Sequence, residues 1–298
     1  IPMKHRILLV SDMHYTTDLS EKELRLTHPE SRASLASGPL FGRTQKEKID
    51  LISAAVAEEH AKAPLDAVLV LGDLSIDDYD YRKLPDNYCR RFLDECMRGF
   101  PCPSWALAGN HDSYPDEAWR EVFGYGRQFS VRIGDRVFVM LDTFRKVPAH
   151  DASGAAYTPV DVDFLRAELE KYPTEKFFLC THYTDIRQEE QNVEFCRILQ
   201  ENDRILALFR GHTHIAELLS FAGKPLADIG GYGYSGQVVD GKYTFEIFSP
   251  RWAYGYEILE WDNNTTRCYH VKPALHYDSK NGSFDIPLTI SGACTLND

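Results

Sequence analysis

The sequence is short of positive charge, has no long apolar run and shows no closely paired cysteines, and each shortage closes off a class of function. Its 33 lysines and arginines are outnumbered by 45 aspartates and glutamates, giving a net charge of −12. A long nucleic-acid groove needs a basic stripe, so this balance argues against one. It leaves small phosphate substrates open, because bound cations can supply the local positive charge. No apolar run approaches the roughly 18 residues that a membrane helix requires, so no membrane association is expected. Seven cysteines are an odd number and none stands in a Cys-x-x-Cys pair. Reduced, scattered thiols in a cytoplasmic protein are therefore expected over a disulfide framework. Taking Met3 as the start leaves no room for a secretory signal before the apolar run at Ile7. Asn263-Asn264-Thr265-Thr266 fits the glycosylation pattern, which has no meaning in a cytoplasm. Internal repeats and low-complexity linkers are also missing.

What is present fits a layered α/β protein. The chain of 298 residues is 43% hydrophobic, enough to bury a large core in one domain over 1–298; a split near residue 216 is the alternative. Apolar runs predict strands at 5–10, 66–71, 104–108, 176–181 and 204–210, and a hairpin of 129–133 with 136–141 about Gly134-Asp135. Helices are predicted at 44–62, 86–99, 117–123, 189–201 and from Pro159 to about 171. The first places Ile49, Ile52, Ala55 and Val56 on one face, with Thr44 and Glu47 as a capping box. After 216 the pattern changes to strands alone, at 216–221, 243–248, 254–261 and 267–271, with a weakly patterned tail over 273–298. Strand–helix alternation predicts parallel strands and the later hairpins predict antiparallel ones. Two mixed β-sheets packed face to face, with helices outside, accommodate both.

Five of these runs end in metal-ligand chemistry. Asp12-Met13-His14 follows Ile7–Val10, and Gly72-Asp73 follows Val68–Leu71. Gly109-Asn110-His111-Asp112 follows Trp105–Ala108, His182 follows Phe177–Cys180, and Gly211-His212-Thr213-His214 follows Ile205–Phe209. Ligands of open α/β sheets bind beyond the carboxyl ends of the strands, so one edge should gather all of them. Asp12 with His14, and His212 with His214, are each two residues apart; in extended chain both members of such a pair point the same way. Imidazoles and carboxylates together suit Zn, Fe or Mn. Each residue also has a plainer reading: Asp12 and Asp73 as turn formers, Asn110 as a left-handed turn residue beside Gly109, Asp112 as a helix cap, and His182 as a buried histidine.

The ordered set Asp-x-His, Gly-Asp, Gly-Asn-His-Asp, His and Gly-His-x-His resembles the calcineurin-like metallophosphoesterase family. The resemblance spans residues 12–214 and implies a four-layer αββα sandwich with two metal ions. It would assign Asp12, His14 and His214 to one ion, Asn110, His182 and His212 to the other, and Asp73 to both. His111 would face the leaving-group oxygen, with Asp112 orienting or polarising its ring. It implies a dinuclear metal-dependent phosphoesterase acting on a small phosphorylated substrate. His14 and the complete Gly-Asn-His-Asp resemble the diesterase-rich branches, whose substrates include cyclic nucleotides and nucleotide-linked diesters. The purple-acid-phosphatase types carry a tyrosine ligand near the bridging aspartate, whereas Tyr79 lies six residues past Asp73. Phosphomonoesterase or nucleotidase action, nucleotide pyrophosphatase action and a non-catalytic scaffold on the same fold are the alternatives.

The two long loops, 15–43 and 143–159, fall at the same sheet edge and nominate Tyr15, Arg43, Arg145, His150 and Tyr183 as substrate contacts. The other histidines, and the aromatics Tyr232, Tyr234, Trp252, Tyr254 and Tyr256, read as packing.

Overall fold

The computed structural model describes residues 4–15, 45–75, 88–146, 155–187, 190, 192–232, 235–239, 242–246, 255–279 and 282–297. Two six-stranded mixed sheets lie between helices. The first contains β1 (His5–Val10), β2 (Ala67–Leu71), β3 (Ser104–Leu107), β12 (Tyr256–Trp261), β13 (Thr265–Lys272) and β16 (Thr289–Asn297). Its order is β16-β13-β12-β1-β2-β3, parallel from β1 to β3 and antiparallel from β1 to β16. The second contains β4 (Phe129–Ile133), β5 (Arg136–Leu141), β6 (Lys176–Thr181), β7 (Ile205–Arg210), β8 (Ala216–Phe221) and β9 (Lys224–Ile229), in the order β4-β5-β6-β7-β9-β8. Here β5, β6, β7 and β9 run parallel, with antiparallel β4 and β8 at the edges. Separate two-stranded ribbons are formed by β10 (Ser235–Val239) with β11 (Lys242–Glu246), and by β14 (Leu275–Ser279) with β15 (Gly282–Ile286).

The period-two rule of strands sorts the apolar residues into three cores. Leu8 and Val10 of β1, with Val68 and Val70 of β2, meet the helices α1 (Gln45–Lys62), α2 (Tyr88–Glu95) and α3 (Asp116–Phe123). Their neighbours Ile7, Leu9, Leu69 and Leu71 turn the other way and pack between the sheets against Phe138, Phe178 and Phe209. On the far side, Val137, Val139, Phe177 and Leu179 meet α4 (Val162–Lys171) and α5 (Val193–Glu201). The result is helices, sheet, sheet, helices, which is the expected four-layer sandwich.

Several elements depart from the sequence expectation. β9 was not anticipated, because Pro225 near its start and the charged Asp228 within it interrupt the apolar run. The β8–β9 turn uses Ala222 and Gly223, both at positive φ (49° and 80°), in place of the Asn-Gly signature that marks such hairpins. The tail is ordered into β14, β15 and β16, and β16 completes the first sheet beside β13. α4 begins at Val162, where the Asp161 carboxylate accepts from the Phe164 amide, and not at Pro159. The helix expected over 86–99 divides into α2 and a 3-10 turn at Met97–Gly99. Thr44 lies outside the described residues. All seven cysteines are free, and Cys180 is buried in β6. Among the described residues no helix is long and apolar enough to cross a membrane.

One polar cluster ties α1 to the first sheet. Arg6 donates to Glu260 Oε1 (3.0 Å), to the carbonyl of Glu59 (2.8 Å) and to the Glu59 carboxylate. Tyr256 and Lys62 also donate to Glu59, and Arg267 and Tyr269 donate to Glu260. Burial would raise both carboxyls, but these donors outweigh it and hold each below its ordinary value of 4.5. A carboxyl depressed by folding contributes stability above its unfolded pKa and loses that contribution as pH falls through its folded one. Stability is therefore expected to fall below about pH 4.5. Thermal unfolding between pH 6 and pH 3 checks this: Glu59→Gln should show a shallower pH dependence than the unaltered protein, and equal slopes would exclude Glu59 as a source.

Candidate metal centre

The parallel strands of both sheets end at one edge, and their pairing continues past the last strand residue. Asp12 N donates to Gly72 O (3.0 Å), His14 N to Asp73 O (2.9 Å) and Gly211 N to His182 O (3.0 Å). These bonds fix the loops that carry the candidate ligands. The two sheets are also joined across the edge, where His212 N donates to Asp12 Oδ2 (2.9 Å). His182 Nδ1 lies 2.7 Å from the carbonyl of Leu71. That contact fixes the proton on Nδ1 and leaves Nε2 as the ligand atom.

The side chains converge. Asp12, His14 and His214 offer ligand atoms within 4.8 Å of one another, as do Asp73, His182 and His212. His214 Nε2 is 3.0 Å from Asp12 Oδ1 and 3.3 Å from His14 Nε2. Asp73 Oδ2 is 3.1 Å from His182 Nε2 and 3.8 Å from His14 Nε2, so it stands between the two groups. Asn110 Oδ1 lies 3.0 Å from His212 Nδ1. Asp12 Oδ1 and His182 Nε2 are buried, yet make no hydrogen bond of sound geometry among the described residues. Buried polar atoms are normally satisfied, so an edge that gathers such atoms beside carboxylates and imidazoles has the donor set of a cation site. The residues present fit two metal ions.

Protonation favours ligation for most of the set. Burial pushes His14 down to about 3 and, helped by the charge of His182, pushes His212 down to about 3. Burial would raise the carboxyl of Asp12, but His214 and His182 hold it well below the carboxylate range, and His182 and His111 do the same for Asp73. His182 is the exception: burial would lower it, but Asp73 and Asp12 together push it up to about 9.

The backbone is unusual here. Asp12 (φ 58°), His14 (44°), Asp73 (50°), His212 (68°) and His214 (56°) all adopt left-handed conformations. The paired residues do face one way, but they are not extended chain as the sequence suggested. Such conformations cost on the order of 1–3 kcal/mol each and persist where the surroundings enforce them. Two glycines show the enforcement. A Cβ at Gly109 would fall within the Asp73 carboxylate, and one on Gly72 (φ 93°) would strike the His182 ring.

His111 donates its backbone N–H to Asp73 Oδ1 (2.9 Å), and its ring meets that of His14 edge-on, centroids 4.9 Å apart. With Asp73, His212 and His214 it lines an open cleft of about 660 Å³. Asp112 takes a different part from the one the family resemblance implied. Its oxygens accept from the amides of Gly109 (2.8 Å), Leu74 (3.2 Å) and Ser75 (3.1 Å) and from the Ser75 hydroxyl (3.2 Å). It clasps the Asp73 turn to the Asn110 turn, and the His111 ring is not among these partners. Asp112→Asn would set an amide donor against backbone donors, an expected loss of about 1–3 kcal/mol. Denaturant unfolding checks this, and unchanged stability would remove the clasp.

The nominated substrate contacts separate. Tyr183 lines the cleft, its ring 4.6 Å from that of His212. Tyr15 is instead a core residue, 3% exposed, whose hydroxyl donates to Glu95 (2.6 Å). Arg145 donates to the carbonyls of Asp142 (2.7 Å) and Pro159 (2.9 Å), so its guanidinium is engaged with its own chain. Arg43 and His150 lie outside the described residues. Tyr232 and Tyr256 are buried packing residues as expected; Tyr234, Trp252 and Tyr254 are also outside the described set. The sequence reading missed Phe144, whose ring stands 5.6 Å from His182 and 5.8 Å from His212. It also missed Arg210, which lines the cleft while bonded through two nitrogens to Asp228 (2.6 and 2.9 Å). An arginine closing the apolar run 205–209, directly before Gly211-His212, was the available signal.

Comparison with known proteins agrees with this geometry. Residues 5–216, more than two thirds of the chain, match the family profile described as calcineurin-like phosphoesterase. No curated protein matches the sequence. Among solved structures, a dimetal phosphatase from Danio rerio aligns with a TM-score of 0.57 at 14% identity, covering 97% of this chain and 99% of that one. GAP50, the anchor in the inner membrane complex of Plasmodium, aligns with a TM-score of 0.52 at 12% identity, covering 97% and 90%. At these identities the structures speak for the fold, and the profile match speaks for the family. The strand order, the ligand edge and the matched span together place this chain in the calcineurin-like phosphoesterase family.

Proposed function

We propose that the protein is a dinuclear metal-dependent phosphoesterase acting on small phosphodiesters, cyclic or nucleotide-linked. The observation that carries this reading is the convergence of Asp12, His14, Asp73, His182, His212 and His214, with Asp12 Oδ1 and His182 Nε2 buried and making no hydrogen bond of sound geometry among the described residues. Asp12, His14 and His214 would hold one ion, Asn110, His182 and His212 the other, and Asp73 would serve both; Mn, Fe and Zn all suit such donors. Two cations bound there would supply charge for the phosphoryl oxygens and a metal-acidified water as nucleophile near neutral pH. The chain's own residues do the rest. His182 is aimed by its bond to Leu71 O, and His212 by the contact with Asn110 and the Asp12–His212 link. His111, whose Nδ1 is buried, lines the cleft, where its ring would give the departing oxygen the proton it needs. Asp112 holds the turns that place Asp73 and His111.

The likeness to GAP50, an anchor, supports a second reading as a non-catalytic scaffold. The complete ligand set and His111 weigh against it. The two readings separate on bis-p-nitrophenyl phosphate and p-nitrophenyl phosphate, given to stripped protein resupplied with Mn²⁺, Zn²⁺ or Fe²⁺. Faster, metal-dependent diester turnover is the expected result. A monoester preference would move the assignment to phosphatase or nucleotidase chemistry, and no hydrolysis of either ester would favour the scaffold.

A further inference from the structure

The cleft is much larger than a phosphate group needs, and part of its lining is apolar. Beside Asp73, His111 and His214 its walls include Tyr183, Ile186, Ile215 and Leu219, with Arg187 and Glu217 also in the lining. A volume of about 660 Å³ lies within the roughly 300–1,000 Å³ range of small-molecule sites. Tyr183 is the best-supported part of this wall. It is half-buried, its ring 4.6 Å from His212 and 5.4 Å from Tyr157. The Arg210 guanidinium lies 5.4 Å from the ring centroid. Arg210 cannot readily swing away, because Asp228 grips two of its nitrogens and the Thr184 carbonyl accepts from a third. Its charge is already answered by Asp228, so within the cleft it acts as a prop for the ring. Arg187, largely exposed, stands beside Asp185 with its Nε 3.5 Å from the carboxylate.

A fixed aromatic next to a candidate metal ligand, continued by apolar side chains, is suited to a flat ring and poorly suited to a polyol. Resting on the phosphoesterase reading above, we infer that Tyr183, with Ile186, Ile215 and Leu219, forms a subsite for a planar aromatic group carried by the phosphoester. Both a nucleobase and a simple aryl group have this chemistry. Stacking on Tyr183 determines which esters are held, and Arg210 with Asp228 positions that ring.

Binding to non-hydrolysable phosphonates tests the subsite without relying on turnover. Manganese-loaded protein is titrated calorimetrically with phenylphosphonate, methylphosphonate and the phosphonate analogue of adenosine 5′-phosphate. A stacked ring is expected to favour phenylphosphonate over methylphosphonate by about tenfold. Tyr183→Leu should bring that ratio close to one, whereas Tyr183→Phe should keep it. Tighter binding of the adenosine analogue than of phenylphosphonate identifies the ring as a nucleobase, and equal binding identifies any aryl group; both support the subsite. Equal or no binding of phenyl- and methylphosphonate, or a ratio that survives Tyr183→Leu, overturns it. Ring-dependent binding without hydrolysis of any ester would leave the subsite standing while the phosphoesterase reading failed.

Discussion

Asp73→Asn is expected to strip the protein of its second metal equivalent and lower diester turnover by more than about a hundredfold. Outer-shell partners of metal ligands already cost roughly 10–100-fold in affinity or activity when removed, and Asp73 is placed to serve both ions directly. Its Oδ2 lies between His182 Nε2 and His14 Nε2, and its Oδ1 accepts the His111 amide. Asparagine keeps the shape and could keep that amide contact, but it removes the negative charge and turns one ligand oxygen into an N–H donor. Elemental analysis beside a turnover assay checks the expectation. A variant that held two ions at full activity would remove Asp73 from the shared position.

His111→Ala is expected to behave differently. Metal content and unfolding temperature should stay near those of the unaltered protein, while turnover falls by roughly 10²–10⁴-fold, the usual worth of general-acid help. The loss should depend on the leaving group. An alkoxide needs the proton far more than p-nitrophenolate does, so alkyl esters should lose more than p-nitrophenyl esters. Equal losses across leaving groups would point to a binding role for the His111 ring. The backbone amide that meets Asp73 is untouched by the substitution, which keeps the two variants distinguishable.

Much of this candidate site could be read from the chain because its candidate ligands follow apolar runs directly. Asp12, Asp73, Asn110, His182, His212 and His214 each come within a few residues of a strand end, so short-range pattern was enough to gather them at one edge. The reason offered for the paired residues did not hold. Asp12 and His14 share a direction through left-handed backbone held by hydrogen bonds to Gly72 and Asp73 past the neighbouring strand, and a side-chain period cannot report that. Asp112 and Tyr15 were misread for a related reason. Both have the residue type and position of site residues, but Asp112 meets amides from two separate turns, while Tyr15 reaches Glu95 on α2. Long-range partners of that kind decide a role and leave no trace in local sequence.

The layered fold was legible for the same reason as the ligands: strand–helix alternation carried it as far as residue 216. Beyond that point β9 and the tail strands escaped because their signals are weak singly. β9 contains a proline and a buried carboxylate, and β16 is mostly exposed at the sheet edge, with Leu288 just before it and Ile290 within it open to solvent. The Asp228 that obscured β9 is the residue that fixes Arg210 beneath Tyr183. What blurred the strand pattern thus also prepares the cleft wall.

The central claim is that this edge holds two metal ions and that phosphoester hydrolysis depends on them. Titrating Mn²⁺ into stripped protein, while following both bound metal and bis-p-nitrophenyl phosphate hydrolysis, tests it most directly. The account predicts no turnover without metal and a rise that levels off at two bound ions per chain. Hydrolysis that is indifferent to stripping, or a chain that retains no ion at saturating Mn²⁺, would contradict it.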